Sequence, residues 1–288
     1  MEQKELKTAI IGVGKWGKNV AKELAEQSTL VAYASSATGM DEAWMAEVMP
    51  DAQRLSVDEI CAREDIQAIS VATPIKTHAE IVRKLLAAGK HVLCEKSLTV
   101  SAKEGYELST LAKEKNLILV TGYVYLYHPA YQELKKDIAG KKISRIEFDW
   151  KKYGSFVESI EMNLLTHHFS ILLDLLGMPT GISVTRREKG ESACDVLDTT
   201  ITYPTCEVFS HIDRMSKERT HTMTVHADGK KFVWEGAQLR DEHGIFESRD
   251  TPLALEVGAF LAAVAGGAQP QTAGDFGARV LEIHELMR

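Results

Sequence analysis

The sequence predicts an α/β protein in two parts, a doubly wound parallel sheet followed by a second domain built on an antiparallel or mixed sheet. Three observations carry this. Short apolar runs alternate with helical patterns through the first 122 residues, which is the rhythm of βαβ units. A glycine-rich turn, Gly12-Val13-Gly14-Lys15-Trp16-Gly17, joins the first run to the first helix. Beyond Gly122 the rhythm gives way to successive strand-like segments punctuated by Gly or Pro. At 288 residues the chain is long for one core, so two domains are expected, residues 1–122 and 123–288.

Each element has a local reason. Residues 8–11 form a short apolar strand, and residues 19–26 a helix with Val20, Ala21 and Leu24 inward. Residues 30–34 are a second strand. Asp41 opens a helix to residue 48 that Pro50 stops, and residues 57–63 give another turn or two. Residues 68–72 and 91–94 are continuous apolar runs, as parallel strands buried on both faces should be. Between them residues 79–88 form a helix closed by Gly89. Ser101 caps the next helix, with Glu104 completing a capping box, and residues 117–121 finish the alternation.

In the second part Tyr123, Tyr125 and Tyr127 alternate with period two before a helix over residues 129–138. Strand-like segments follow at 143–152, 182–187, 197–203, 207–215, 220–226 and 231–234. A helix at 162–176 interrupts them, and one or two more helices close the chain after residue 253.

Composition narrows the function. Hydrophobic residues make up 44% and charged residues 26%, an ordinary soluble balance. A net charge of −7 argues against a nucleic-acid partner. No apolar stretch approaches the roughly 20 residues that span a bilayer. Cys61, Cys94, Cys194 and Cys206 make no C-x-x-C pair, and a charged N-terminus runs straight into a strand. A cytoplasmic protein without a secretory leader is therefore expected. His211, His221, His226 and His243 lack metal-ligand spacing, so no metal is expected. No G-x-S-x-G supports a nucleophilic serine.

Three strand ends converge on one candidate crevice, because open α/β sheets bind ligands beyond the carboxyl ends of their strands. At the first, Gly12 permits a tight turn, Gly14 lets backbone approach a pyrophosphate, and Gly17 lets the helix pack closely. At the second, Thr73-Pro74 is followed by His78. At the third, the run ending in Cys94 delivers Glu95-Lys96. Lysine is seldom buried unless paired or working, so Lys96 is taken as the centre of the chemistry. The cofactor-binding candidates are Gly12, Gly14, Lys15, Trp16, Gly17, Ser35, Ser36, Thr73, Pro74, His78, Glu95 and Lys96.

The ribose-reading position carries Ser35-Ser36 and then Thr38, with no carboxylate until Asp41. Without a negative charge there a 2′-phosphate is not repelled, so the balance tips to NADP(H), although no arginine stands beside the serines in sequence and NAD(H) stays open. In the second part Asn163, His167, Ser170 and Asp174 share one face of an otherwise apolar helix, so the stripe meets water or lines a cavity. His168 points about 100° away and reads as structural. Tyr123 and Tyr125, just past the parallel sheet, are candidate pocket walls.

The ordered motifs GVGKWGKN, ATPIKTHAE, AGKHVLCEKS and TGYVYLYHPA, with the helix through His167, resemble the glucose–fructose oxidoreductase / inositol dehydrogenase family (Gfo/Idh/MocA). The resemblance implies a Rossmann domain followed by an α+β domain with a large open, mostly antiparallel sheet whose free face forms a homo-oligomer, dimer or tetramer. It implies a tightly held nicotinamide cofactor, Lys96 contacting cofactor and substrate hydroxyl, and His167 as the acid–base group. Tyr123, Tyr125 and Asn163 would position a small-molecule substrate. The chain departs from the family pattern at Ser97, where proline is usual, at Asn163 and Ser170, where aspartates are found, and at Leu165, which replaces a glycine. An amide cannot take a proton, so a base role shifts to His167 or Lys96. The expected function is NAD(P)-dependent hydride transfer at a carbinol or carbonyl carbon of a sugar or related compound. A non-catalytic sugar sensor of the same fold and a redox-assisted glycosidase remain alternatives.

Overall fold

Each continuous apolar run of the first part becomes a strand because its residues are covered on both faces. In the computed structural model, which describes residues 5–36, 41–154, 158–192 and 194–287, these are β1 (Lys7–Ile11), β2 (Thr29–Ala34), β4 (Ala68–Val71), β5 (His91–Glu95) and β6 (Leu119–Gly122). A two-residue β3 (Gln53–Arg54) completes a parallel sheet of six strands in the order β3-β2-β1-β4-β5-β6. All four residues of β4 are buried, as a central parallel strand requires. The strand order reverses between β1 and β4, which sets the ligand crevice at the carboxyl ends of those two strands. Thr38 lies outside the described residues.

The intervening helices are α1 (Gly17–Gln27), α2 (Glu42–Val48), α3 (Val57–Ala62), α4 (Ile75–Ala87) and α5 (Ala102–Glu114). Each that packs on the sheet does so by an apolar stripe; α4 buries His78, Val82, Leu85 and Leu86. Ser56 and Glu59 form a reciprocal capping box on α3, and Ser101 accepts from the Glu104 N–H on α5.

The chain packs as two units, residues 1–123 with 253–281, and residues 124–252 with 282–288. The division at residue 122 therefore needs correcting for the C-terminal segment, most of which returns to the first unit. Contacts remote in sequence bring it there. Gln27 donates to the Ala254 carbonyl at 3.1 Å, Ser109 to the Gly274 carbonyl at 2.9 Å, and the Thr121 N–H to the Thr272 carbonyl at 3.1 Å. The helix α8 (Pro252–Val264) is apolar nearly all round, and the start of α9 (Phe276–Glu285) lies against α5, where a Cβ at Gly105 would sit 2.9 Å from that of Ala278.

In the second unit a 3₁₀ turn (Val124–Tyr127) leads into α6 (Pro129–Ile138). The period-two expectation for the tyrosines fails here, because a 3₁₀ turn advances about 120° per residue rather than alternating. Eight strands follow, β7 (Ile143–Lys151), β8 (Gly181–Glu188), β9 (Val196–Thr202), β10 (Glu207–Asp213), β11 (Thr220–Ala227), β12 (Lys230–Glu235), β13 (Gln238–Arg240) and β14 (Ile245–Glu247). Their order is β14-β13-β12-β11-β7-β10-β9-β8, antiparallel throughout except for the β7–β10 pair. Alternation sorts the two faces. Phe148, Trp150, Ser210, Met223 and Trp234 are buried on one, and Glu147, Asp149, Asp198, His211, Thr222 and Thr224 point to the other. The helix expected over 162–176 divides into a wider π turn (Glu161–Leu165) and α7 (Thr166–Leu176). No helix among the described residues is long and apolar enough to cross a membrane.

Candidate active site

The glycine turn has a different steric reason at each position. Gly12 has φ +96°, and a Cβ there would lie 2.5 Å from the Ala72 carbonyl oxygen. A Cβ at Gly17 would lie 1.9 Å from the Gly12 oxygen, so the turn closes only with glycine at both. Gly14 meets nothing within 4 Å, which leaves open space beside exposed backbone, and Lys15 is exposed next to it. No side chain caps α1. A close turn with one open glycine at the topological switch fits a dinucleotide's pyrophosphate.

Trp16 leaves this turn 43% exposed, and its indole Nε1 donates to Glu95 Oε1 at 2.6 Å. Glu95 ends β5 and lies flat over Gly122, where a Cβ would come within 3.3 Å of its carboxylate. Burial pushes its carboxyl up to about 7, against the opposing pull of the Trp16 hydrogen bond and the Lys96 ammonium. Lys96 is half-buried beside it, and the Lys96–Ser97 peptide bond is cis. Glu256 on α8 is fully buried, its carboxyl raised well above the usual range by burial and then by Glu95.

The structure reassigns His78. It is fully buried, with Nδ1 2.8 Å from the Ser97 carbonyl oxygen and Nε2 2.7 Å from that of Thr73. Both ring nitrogens sit against backbone oxygens, to one of which a neutral ring donates, so His78 lies between the segments after β4 and β5 instead of offering an atom to a cofactor. Thr73 is half-buried and Pro74 exposed at the start of α4. Ser35 and Ser36 follow β2, and here the structure supplies a residue that sequence spacing hid. Arg54, on the neighbouring β3, donates from Nη2 to the Ser35 carbonyl at 3.0 Å.

Tyr123 is also corrected. It is fully buried in the first unit with its ring edge 5.7 Å from Phe276, a core position and not a pocket wall. Tyr125 belongs to the second unit and lies edge-on to His167 at 4.8 Å between centroids. His167 is 7% exposed at the start of α7, and the Ser170 hydroxyl donates to its carbonyl at 2.8 Å. Asp174, a turn further on, accepts from Tyr131 and pairs with Lys135 at 2.7 Å, so this polar stripe is bonded within the protein rather than solvated. Asn163 sits in the π turn, half-buried. His168 faces the sheet, stacked on Phe148 at 4.1 Å with Nδ1 2.7 Å from Ser210 Oγ, as a structural residue should.

Trp150 and His221 were missed from sequence, although strand alternation carries the signal. They stand two residues from buried Phe148 and Met223, and therefore on the same covered face. Among the described residues no cluster of His, Cys, Asp or Glu is arranged to hold a metal.

A six-stranded parallel sheet with this turn at its switch point defines a dinucleotide-binding protein of the Rossmann class. Residues 6–123 match the GFO_IDH_MocA family, described as an oxidoreductase family with an NAD-binding Rossmann fold. A UDP-N-acetylglucosamine 3-dehydrogenase of Acidithiobacillus ferrooxidans is 32% identical over 174 residues, 60% of this chain and 55% of that protein. A dTDP-3,4-didehydro-2,6-dideoxy-alpha-D-glucose 3-reductase of Streptomyces violaceoruber is 37% identical over 78 residues, 27% of this chain and 23% of that one. The chain thus matches from about a quarter to about half the length of these relatives. The solved structure of the Acidithiobacillus ferrooxidans dehydrogenase superposes with a TM-score of 0.90 at 24% identity, over 99% of this chain and 97% of that one, and shares its fold.

Proposed function

We propose that the protein is an NAD(P)-dependent oxidoreductase acting on a ring carbon of a sugar, with nucleotide-linked sugars as the first substrates to test. The observation that carries the reading is the placement of Lys96 directly after β5, beside a glycine turn built to admit a pyrophosphate and next to the Glu95 carboxyl that Trp16 holds. The turn from Gly12 to Gly17 would hold the diphosphate, with Trp16 and Glu95 at the nicotinamide end. A nicotinamide held there would supply the hydride chemistry at the carbon bearing the reacting oxygen. In the first unit Lys96 would donate a hydrogen bond to that oxygen; in the second, His167 is the residue suited to proton exchange. Asn163 and Tyr125 orient the substrate.

The Arg54 guanidinium beside Ser35 supports a preference for NADP(H), since a fixed cation next to the serines suits a 2′-phosphate. The uncovered face of the eight-stranded sheet supports a homo-oligomer, dimer or tetramer, which sedimentation would size. The names of the relatives, a sugar 3-dehydrogenase and a sugar 3-reductase, support the substrate class.

The test is nicotinamide absorbance with both cofactors in both redox states, against UDP- and dTDP-linked hexoses, their keto forms, free sugars and cyclitols. Turnover of at least one member is expected. Tight cofactor binding with no redox change across the whole panel would reject the reading.

A further inference from the structure

The register of the second sheet places His221 of β11 directly opposite Trp150 of β7, their rings 4.0 Å apart. Tyr125 then stands over both. Its ring lies 4.7 Å from His221, 4.8 Å from His167, 5.7 Å from Trp150 and 6.0 Å from Trp234. Two imidazoles, one the proton carrier proposed above and the other unassigned, therefore flank a single phenol. Trp150 and Trp234 are nearly sealed, at 5% and 4% exposure, so they act as rigid walls that fix the His221 ring.

His221 is half-buried and, among the described residues, neither of its ring nitrogens makes a hydrogen bond; the same holds for the Tyr125 hydroxyl. Burial, then the positive charges of His128 and Lys152, press the His221 imidazole down to about 4. Burial raises the Tyr125 phenol to about 12. Near neutral pH both groups are uncharged. A neutral imidazole presents one donor and one acceptor, and a phenol can do both, which is the complement of neighbouring hydroxyls on a sugar ring. Neither the His221 nitrogens nor the Tyr125 hydroxyl is sealed from solvent, so a ligand hydroxyl can reach them and replace water there.

We propose that His221 and the Tyr125 hydroxyl form a hydroxyl-reading subsite beside His167, specific for an uncharged polyhydroxylated ring, with His221 as its specificity-determining residue. The subsite rests on the reading of His167 as the proton-exchanging group, and it explains how an otherwise aromatic surface would recognise a sugar.

The experiment uses the full chain loaded with NADPH, labelled with ¹⁵N-histidine, and titrated with UDP-N-acetylglucosamine, glucose and myo-inositol as probes. Binding of any one should move the ring nitrogens of His221, identified by their loss in His221→Asn. In parallel, His221→Phe keeps the aromatic packing and removes the hydrogen bonds. For the sugar that is turned over, its KM should rise about 3- to 10-fold with kcat changed less and NADPH affinity unchanged. A His221 signal that no probe perturbs, or an unchanged KM in His221→Phe, overturns the subsite. A shifted His221 signal in a protein that turns over no sugar supports the subsite while rejecting the redox function.

Discussion

Trp16 Nε1 donates to Glu95 Oε1 at 2.6 Å, which ties the turn after β1 to the end of β5 although β4 lies between those strands in the sheet. The bond stabilises the ionised form of a carboxyl that burial otherwise opposes. Trp16→Phe keeps the ring and removes the donor. The Glu95 titration, at about 7 in the intact protein, should move to higher pH. Following NADPH affinity against pH would show it; an inflection unmoved in Trp16→Phe would mean that Glu95 does not feel the indole.

The same carboxyl makes stability depend on pH. Its ordinary value of 4.5 applies in the unfolded chain, and about 7 in the fold. Between these values the folded protein holds a proton that the unfolded chain has released. The Glu95 contribution to stability should therefore fall as pH rises from about 4.5 to about 7 and level off above it, while the buried Glu256 carboxyl adds a fall of the same sign. Urea midpoints measured across that window should show the slope, and Glu95→Gln should reduce it.

Arg54 makes the cofactor preference measurable. A charge-assisted contact to a phosphate contributes about 1.5–3 kcal/mol, so Arg54→Ala should weaken NADPH binding about 10- to 100-fold. NADH, which has no 2′-phosphate, should bind nearly as before. Equal losses for both cofactors would assign Arg54 to holding the Ser35 loop alone.

Arg54 also shows where sequence reading stopped. The buried strands β4 and β5 declared themselves as unbroken apolar runs, and the glycine turn by its spacing between strand and helix. β3 is two exposed polar residues with no pattern, so the arginine beside Ser35 was invisible until β2 paired with it. The return of residues 253–281 to the first unit rests on contacts such as Gln27 with Ala254, more than two hundred positions apart, which no local periodicity encodes. Tyr123 and Tyr125 looked equivalent at a spacing of two; the 3₁₀ turn parts them, one into the core beside Phe276 and the other against His167. His221 and Trp150 were legible as strand residues on a covered face, but their meeting depends on the β7–β11 register.

His78 lies between the segments that carry Thr73 and Ser97, and removing it strands the carbonyl to which its ring N–H donates. His78→Ala should cost about 1–3 kcal/mol, read as a lower urea midpoint. His78→Asn, which can still donate to that carbonyl, should lose less. Equal midpoints for the wild type and His78→Ala would show that water replaces the imidazole at no cost.

Lys96→Met separates chemistry from binding. The methionine keeps much of the bulk and loses the ammonium, while the steric fit at Gly12, Gly14 and Gly17 is untouched. If Lys96 donates to the reacting oxygen, turnover should fall by about 10²- to 10⁴-fold, the usual range for a positioned acid–base group. NADPH affinity should change little, because the diphosphate is held at the other end of the crevice. Lys96→Arg restores the charge but with a planar fork in place of a compact ammonium, so it should recover only part of the loss. Glu95 supplies an independent readout: without the neighbouring cation its titration should rise above about 7 in Lys96→Met and return toward that value in Lys96→Arg. Undiminished turnover in Lys96→Met would remove Lys96 from the reaction, whatever the titration shows.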